Sequence, residues 1–149
     1  FEPGPIYLRF GREDVPVVTD EHTPFTLGKG EIYAEGRDVT LIACGVMVYE
    51  ALRASETLAA RGISARVVNL HTVKPIDRAL IERCARETGA IVTAEEHQVN
   101  GGLGGAVSEV VVQTCPVPME LVAVHDRFGQ SGKPAELMDA FGLRGTGLL

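Results

Sequence analysis

The sequence is poor in cysteine, in aromatic residues and in long apolar runs. It contains three cysteines, no tryptophan and only 5% aromatic residues. Cys44, Cys84 and Cys115 are odd in number and far apart, which argues against a disulfide framework, and the lack of a CxxC pair argues against a zinc ribbon. No apolar run approaches the ~18 residues that a membrane-spanning helix needs. We therefore expect a soluble protein with reduced thiols, located in the cytoplasm.

An excess of positive charge is also lacking. The net charge is -6 over 149 residues, so a broad field of Lys and Arg that would hold nucleic acid or an anionic membrane is not expected. The length suits one domain. The first residues, 1–5, contain no Met and suggest that the sequence is cut from a longer chain.

Apolar periodicity predicts an alternation of strands and helices from residue 39 onward. Each of four predicted strands is followed by a helical stripe, and this order is typical of a parallel sheet covered on both faces. The prediction is therefore an α/β fold with three layers: an open, mostly parallel sheet of about five strands between helices. A short strand over 6–8 and a loose tail over 144–149 are also expected. The predicted strands of the sheet cover 31–34 at an edge, then 39–43, 65–70, 90–94 and 119–124, and an extended connector covers 13–29.

Three histidines follow predicted strands, so His71, His97 and His125 should lie along the carboxyl edge of the sheet, where α/β proteins bind ligands. One interpretation is a site for acid–base chemistry or a metal. The other is that these side chains bond to loop carbonyls or to a docked neighbouring domain. The second is favoured, because no nucleophile or carboxylate pair lies at a defined spacing from them.

A glycine-rich loop over 98–105 follows a predicted strand and opens a helix. Backbone N–H groups at such a place can hold an anion, and Gly101 and Gly102 make this loop a candidate for the same strand-end edge. However, Val107 stands where a dinucleotide fingerprint has its third glycine. Close packing or an interface is therefore favoured, with a nucleotide-binding regulatory domain as the alternative.

Two arginines near the start, Arg9 and Arg12, have the side chain best suited to bidentate phosphate binding. The alternative is a solvated ion pair with Glu13 or Asp14, and on spacing alone the ion pair is favoured.

Three long runs, 36–45, 68–77 and 93–104, together resemble the C-terminal domain of transketolase-type thiamine diphosphate enzymes. Related domains occur in deoxyxylulose phosphate synthases and in the β subunits of 2-oxoacid dehydrogenases. The later segment 126–143 is most similar to transketolase, especially its split form with separate N- and C-terminal subunits. The resemblance covers residues 5–143.

The resemblance implies that residues 1–29 are the end of a preceding pyrimidine-binding domain plus a linker, and that residues 30–149 are the C-terminal domain. It also implies transfer of a two-carbon ketol unit between sugar phosphates, as in the pentose phosphate pathway, with thiamine diphosphate and Mg²⁺ in the intact enzyme. The matched domain contributes assembly and dimer contacts, and no catalytic residue.

The Gly-Asp-Gly motif and the activating Glu of the family lie in its other domains, and the chain contains no Gly-Asp-Gly. The resemblance therefore implies a thiamine-diphosphate-binding N-terminal section as partner, homodimer contacts, and no activity of this chain alone. Arg12 matches an arginine that helps to hold the sugar phosphate, and Arg9 matches a weaker pattern in deoxyxylulose phosphate synthases. The equivalent domain of a 2-oxoacid dehydrogenase β subunit or of a deoxyxylulose phosphate synthase is the alternative parent.

Overall fold

The computed structural model describes residues 4–11 and 14–149. The elements are β1 Glu31–Ala34, β2 Val39–Ala43, α1 Met47–Ala60, β3 Ala65–Asn69, α2 Arg78–Thr88, β4 Ile91–Gln98, α3 Leu103–Thr114, β5 Met119–Val124, α4 Pro134–Ala140 and a 3-10 turn Gly145–Leu148. The five strands form one sheet in the order β1-β3-β2-β4-β5, with β1 antiparallel to β3 and the other neighbours parallel. This confirms the predicted α/β architecture. In the described ranges no helix is both long and apolar enough to cross a membrane.

The two faces of the sheet have separate apolar cores. Successive side chains of a strand point to opposite faces, so Leu41 and Val67 pack with α1 on one face, whereas Ile42 and Val68 pack with α2 and α3 on the other. The central strands are apolar on both sides for this reason, which explains their continuous hydrophobic runs.

Helix α2 begins after Asp77 and ends at Gly89, residue types that favour the start and the end of a helix. Asp77 is its N-cap, and one carboxylate oxygen accepts a hydrogen bond from Leu80 N at 3.2 Å. Gly89 ends the helix with a left-handed φ of 71°. The other Asp77 oxygen accepts from Gly30 N at 3.3 Å, and Lys29 Nζ lies 3.7 Å from the carboxylate. One side chain therefore caps the helix and ties down the end of the connector.

Strand β4 runs four residues beyond the predicted end at Ala94. After an irregularity in the register, Gln98 pairs with Val124 of β5, and Val99 N donates to Val124 O at 2.9 Å. The polar run that follows Ala94 therefore continues the strand. The prediction failed because a charged residue such as Glu95 is buried in a strand only when it has partners. Those partners are N–H groups at the start of α3, which the strand's own residues do not reveal.

The predicted strand over 6–8 is not formed. The described residues 4–11 belong to no helix or strand, and the large apolar side chains Ile6, Tyr7, Leu8 and Phe10 are all exposed. A strand needs a neighbour for its backbone groups. The described part of the chain gives this segment none.

The C-terminal tail is ordered, contrary to the prediction. Gly145 N donates to Glu50 Oε2 of α1 at 2.7 Å, and Arg144 Nη1 lies 3.9 Å from the same carboxylate. Leu143 and Leu148 are buried in the α1 core. The tail is held because α1 presents a buried carboxylate and an apolar surface to it, and a reading of the tail's own residues cannot show either.

Shortening Leu148 to alanine should lower the free energy of unfolding by about 2–3 kcal/mol, because a buried leucine is replaced by a cavity. Its neighbour is the matched control, since the exposed fraction is 6% at Leu148 and 43% at Leu149. Leu149→Ala should change the stability by less than about 0.5 kcal/mol. Urea unfolding of the two variants tests this, and equal effects would mean that the tail is not docked.

Candidate functional site

The sheet changes direction between β2 and β4. The chain leaves β2 toward β3 on one side, returns to β4 on the other, and so places the carboxyl ends of β2 and β4 side by side. Ligands of open α/β sheets bind in the crevice outside such a switch point. At this switch point Cys44 follows the last residue of β2, and Glu95 and Glu96 lie in β4.

Glu95 occupies the anion position at the start of α3. Its side chain is buried, with 4% exposed, and its two oxygens accept from Leu103 N at 2.8 Å and Gly104 N at 2.9 Å. These are two of the free N–H groups with which a helix N-terminus would bind a phosphate. The carboxylate stabilises the helix end and repels a second anion.

Two of the loop's glycines, Gly102 and Gly104, serve close packing. A Cβ added at Gly102 would collide with the Glu95 carboxylate, and one at Gly104 would approach the Leu121 side chain to 2.6 Å. Gly101 turns the chain with a φ of 76°. The nucleotide interpretation of this loop therefore loses its structural basis, because the chain's own carboxylate takes the place of the ligand.

Cys44 is an inert thiol at the same crevice. Burial raises the pKa of Cys44 to about 11; the Glu95 and Glu96 carboxylates act in the same direction, and Arg9 opposes them. The thiolate is the reactive form of cysteine. At neutral pH the side chain is therefore a neutral group and not a nucleophile.

Arg9 reaches this edge of the sheet from the N-terminal segment. Its Nη1 lies 3.5 Å from Glu96 Oε1, and both side chains are partly exposed. The contact is with a carboxylate of β4, where the sequence had suggested ion pairs with Glu13 or Asp14. Arg12, the predicted phosphate-binding residue, lies outside the described residues, as does Glu13.

The three histidines lie at or near the ends of three different strands, β3, β4 and β5. β2 lies between the strands of His71 and His97. His71 Nδ1 is 2.8 Å from Thr72 Oγ1, and its ring stacks on Phe25 with centroids 4.5 Å apart. Burial lowers the pKa of His71, and Glu31 acts in the opposite direction.

His97 and His125 are exposed, and His97 Nδ1 accepts from Gln98 N at 2.7 Å. The partners of His71 and His97, a hydroxyl and a backbone N–H, are not the loop carbonyls of the favoured interpretation, so the role of the three histidines stays a prediction. In residues 4–11 and 14–149 no group of three or more His, Cys, Asp or Glu side chains could hold a metal ion.

A braced loop after β5 is the feature that the sequence did not reveal. Arg127 stacks its guanidinium 4.1 Å from the centre of the Phe141 ring and donates to Ala140 O at 2.8 Å. Its own carbonyl accepts from Gln98 Nε2 at 2.9 Å. The next residue, Phe128, is 99% exposed. The Arg-Phe-Gly sequence marked the loop as part of a resemblance but gave no sign of this geometry.

Comparison with known proteins places this geometry in a family. Residues 28–147 match the model of the transketolase C-terminal domain. The chain is 49% identical over 140 residues to a 6-deoxy-6-sulfo-D-fructose transketolase subunit, SqwH, of Clostridium sp., covering 94% of this chain and 44% of the relative. It is 41% identical over 148 residues to a putative transketolase C-terminal section of Methanocaldococcus jannaschii, covering 97% and 46%. A third relative, 1-deoxy-D-xylulose-5-phosphate synthase 1 of Geobacter sulfurreducens, is 41% identical over 150 residues, covering 97% and 23%.

A solved structure shares the fold closely. The solved structure is described as "Split gene transketolase, inactive beta4 tetramer", where beta4 names its assembly and no strand. It superposes with a TM-score of 0.89 at 47% identity, over 92% of this chain and 45% of that one. The chain thus spans less than half the length of the relatives it matches. Its sheet, its packed glycine loop and its family match together show that this chain belongs to the transketolase C-terminal domain family.

Proposed function

We propose that this chain is the C-terminal section of a transketolase, an enzyme that transfers a two-carbon ketol unit between sugar phosphates, and that it serves in the assembly of that enzyme. The observation that carries the proposal is the match, at 47% and 49% identity over more than nine-tenths of the chain, to a split-gene transketolase structure and to a transketolase subunit.

The residues of this domain do not fit thiamine diphosphate. The helix N-terminus at the switch point is filled by Glu95, no cluster in the described ranges could hold the accompanying metal ion, and the sequence has no Gly-Asp-Gly. In such enzymes the cofactor carries the difficult chemistry and the protein positions it. We therefore assign thiamine diphosphate and Mg²⁺ to a separate N-terminal section, the partner of this chain.

The same proposal divides the chain near residue 29. The family match begins at residue 28, and the described part of 4–27 contains no helix, no strand and no buried residue. We assign residues 1–29 to the end of a pyrimidine-binding domain and its linker. Within that segment Arg12 is the proposed sugar-phosphate ligand, and Arg9 is the weaker candidate. We also propose homodimer contacts and, because all three cysteines are free thiols, a cytoplasmic enzyme.

The chain alone is expected to show no ketol transfer and no tight binding of thiamine diphosphate. Calorimetry with thiamine diphosphate and Mg²⁺, and an assay with a ketose phosphate donor and an aldose phosphate acceptor, measure the two properties. Combining the chain with its N-terminal section should restore both. Turnover or tight cofactor binding by the isolated chain would contradict the proposal.

A second candidate is the corresponding domain of a deoxyxylulose phosphate synthase, supported by the 41% identity to the synthase of Geobacter sulfurreducens. The reconstituted enzyme separates the two. Ketol transfer between sugar phosphates supports the transketolase, whereas formation of 1-deoxy-D-xylulose 5-phosphate supports the synthase.

A further inference from the structure

Residues 125–142, which we call the strap, contribute no buried residue to the fold. Ala123 before the strap and Leu143 after it are buried, whereas residues 125–136 are all exposed and none of residues 137–142 is buried. Its contribution to the α1-side core is Met138 and Phe141 of α4, and both are only partly buried. Since burial of apolar surface supplies most of the free energy that holds a segment in place, the strap is held weakly to the body of the domain.

The strap is nevertheless braced within itself. The Arg127 guanidinium lies 4.1 Å from the centre of the Phe141 ring and donates to Ala140 O at 2.8 Å, so a side chain near the start of the strap holds its end. At the start of α4, Glu136 Oε2 accepts from Lys133 N at 3.2 Å. A segment that is tied end to end keeps its shape when it moves. The strap should therefore move as one unit and should not unravel.

Three exposed side-chain hydrogen bonds tie the strap to the body among the residues that the structure describes. Gln98 Nε2 donates to Arg127 O at 2.9 Å. Arg144 donates from Nε to Asp139 Oδ1 at 3.0 Å and from Nη2 to Ala135 O at 3.3 Å. Because water competes for exposed polar groups, each of these bonds contributes little to holding the strap in place.

Gln98 is the tie that reaches the sheet. It is the last residue of β4 and lies two residues beyond Glu96 at the switch point. Its Oε1 is buried and accepts no hydrogen bond from the described part of the chain. A buried acceptor without a donor costs free energy, and release of Nε2 would let the whole amide turn toward water. The bond to Arg127 therefore holds the strap less firmly than a fully satisfied amide would.

The strap has a special backbone conformation at each end. Asp126, just beyond β5, has a φ of 43°, and Gly142, just beyond α4, has a φ of 69°. Hinges are a few positions of this kind, in loops or at the ends of elements, that absorb a change of backbone angles. After Gly142 the chain is fixed again, because Leu143 is buried and Gly145 N donates to Glu50 Oε2 at 2.7 Å.

We propose that the strap is a lid that opens and closes as one unit about Asp126 and Gly142, with the bond from Gln98 to Arg127 as its latch. Opening frees the Gln98 amide and the carboxyl end of β4, so access to this end of the sheet depends on an equilibrium between two positions. The lid is a property of the domain itself and goes beyond the proposed function, since none of its contacts involves a cofactor or a substrate.

Relaxation-dispersion NMR of the isotopically labelled chain measures such an equilibrium on the microsecond-to-millisecond timescale. Amides of the strap should fit one exchange rate and one open population, while those of α3 should show no exchange. Gln98→Ala removes the latch and should raise the open population by about threefold or more. Arg127→Ala removes the internal brace but keeps the latch carbonyl, so the strap should then divide into parts with different exchange rates.

Gln113→Ala is the matched control. Gln113 also loses one exposed side-chain hydrogen bond, which Arg78 Nη2 donates at 3.2 Å, but it lies on α3 outside the strap. The strap of this variant should exchange as in the wild type. The lid is overturned if Gln98→Ala leaves the strap unchanged or acts no more strongly than Gln113→Ala. Unrelated exchange rates along the wild-type strap, or exchange in Gln98→Ala that spreads to α3, would overturn it as well.

Discussion

Replacing Glu95 by alanine is expected to lower the free energy of unfolding by about 2–4 kcal/mol. Leu103 N and Gly104 N would lose their acceptors at 2.8 and 2.9 Å. Each buried N–H left without a partner costs about 1–3 kcal/mol, and water that enters the vacated space would reduce this cost. The favourable charge at the start of α3 would also be lost. Urea unfolding followed by circular dichroism measures the change.

Two variants separate the loss of the capping hydrogen bonds from a change in side-chain size or in charge. Glu95→Gln keeps the size of the side chain and one acceptor oxygen, so its loss should be smaller than that of Glu95→Ala. Glu120→Gln removes a charge from an exposed position of β5, so its effect should stay within about 0.5 kcal/mol. If Glu95→Ala were as stable as Glu120→Gln, the capping role of Glu95 would be wrong.

Replacing Gly36 by alanine is expected to destabilise the fold by about 3 kcal/mol or more, which exceeds the usual cost of overpacking. A Cβ at this position would overlap the backbone between Ala65 and Arg66 at the start of β3. That backbone cannot give way easily, because Arg37 N and Asp38 N both donate to Ser64 O and the Asp38 carboxylate accepts from Ser64 N. The close approach of two backbones therefore requires glycine.

The matched control is the same substitution at Gly105, in the first turn of α3. A Cβ there would meet nothing within 4 Å, and alanine is the better helix former by up to about 1 kcal/mol. Gly105→Ala should therefore stabilise the chain slightly while Gly36→Ala destabilises it. Thermal unfolding of both variants shows the sign of each effect. A destabilised Gly105→Ala together with a neutral Gly36→Ala would refute the packing argument.

Local signals explain where several of the elements begin and end. The N-cap Asp77, the left-handed stop at Gly89 and the proline that starts α4 at residue 134 act within one helical turn of their own positions. Helix starts and stops of this kind can be predicted from residue types and their spacing in the sequence. The apolar runs of β2 and β3 were equally clear, because both of their faces are buried.

The candidate site was predicted less well, because its contacts join residues that are distant in sequence. The order of the strands, with β2 between those of His71 and His97, follows from no local signal. The role of Glu95 depends on amides of the next helix, and the loop that carries Phe128 is joined to β4 by a bond between Arg127 and Gln98, 29 residues apart. The separation of two residues in the sequence does not indicate how far apart they lie in the folded protein.

The sequence by itself determined the α/β class, the positions of most strands of the sheet, and the resemblance that the family match confirmed. The fold class and the strand positions follow from local conformational preferences and from hydrophobic periodicity. Both can be read in one segment without knowledge of the others. Only the tertiary structure decided that the glycine loop surrounds a carboxylate and no phosphate, that the tail docks on Glu50, and that residues 6–8 lack a strand partner. Each of these depends on whether a buried polar group or an extended backbone finds its partner in another element, and folding alone brings those elements together.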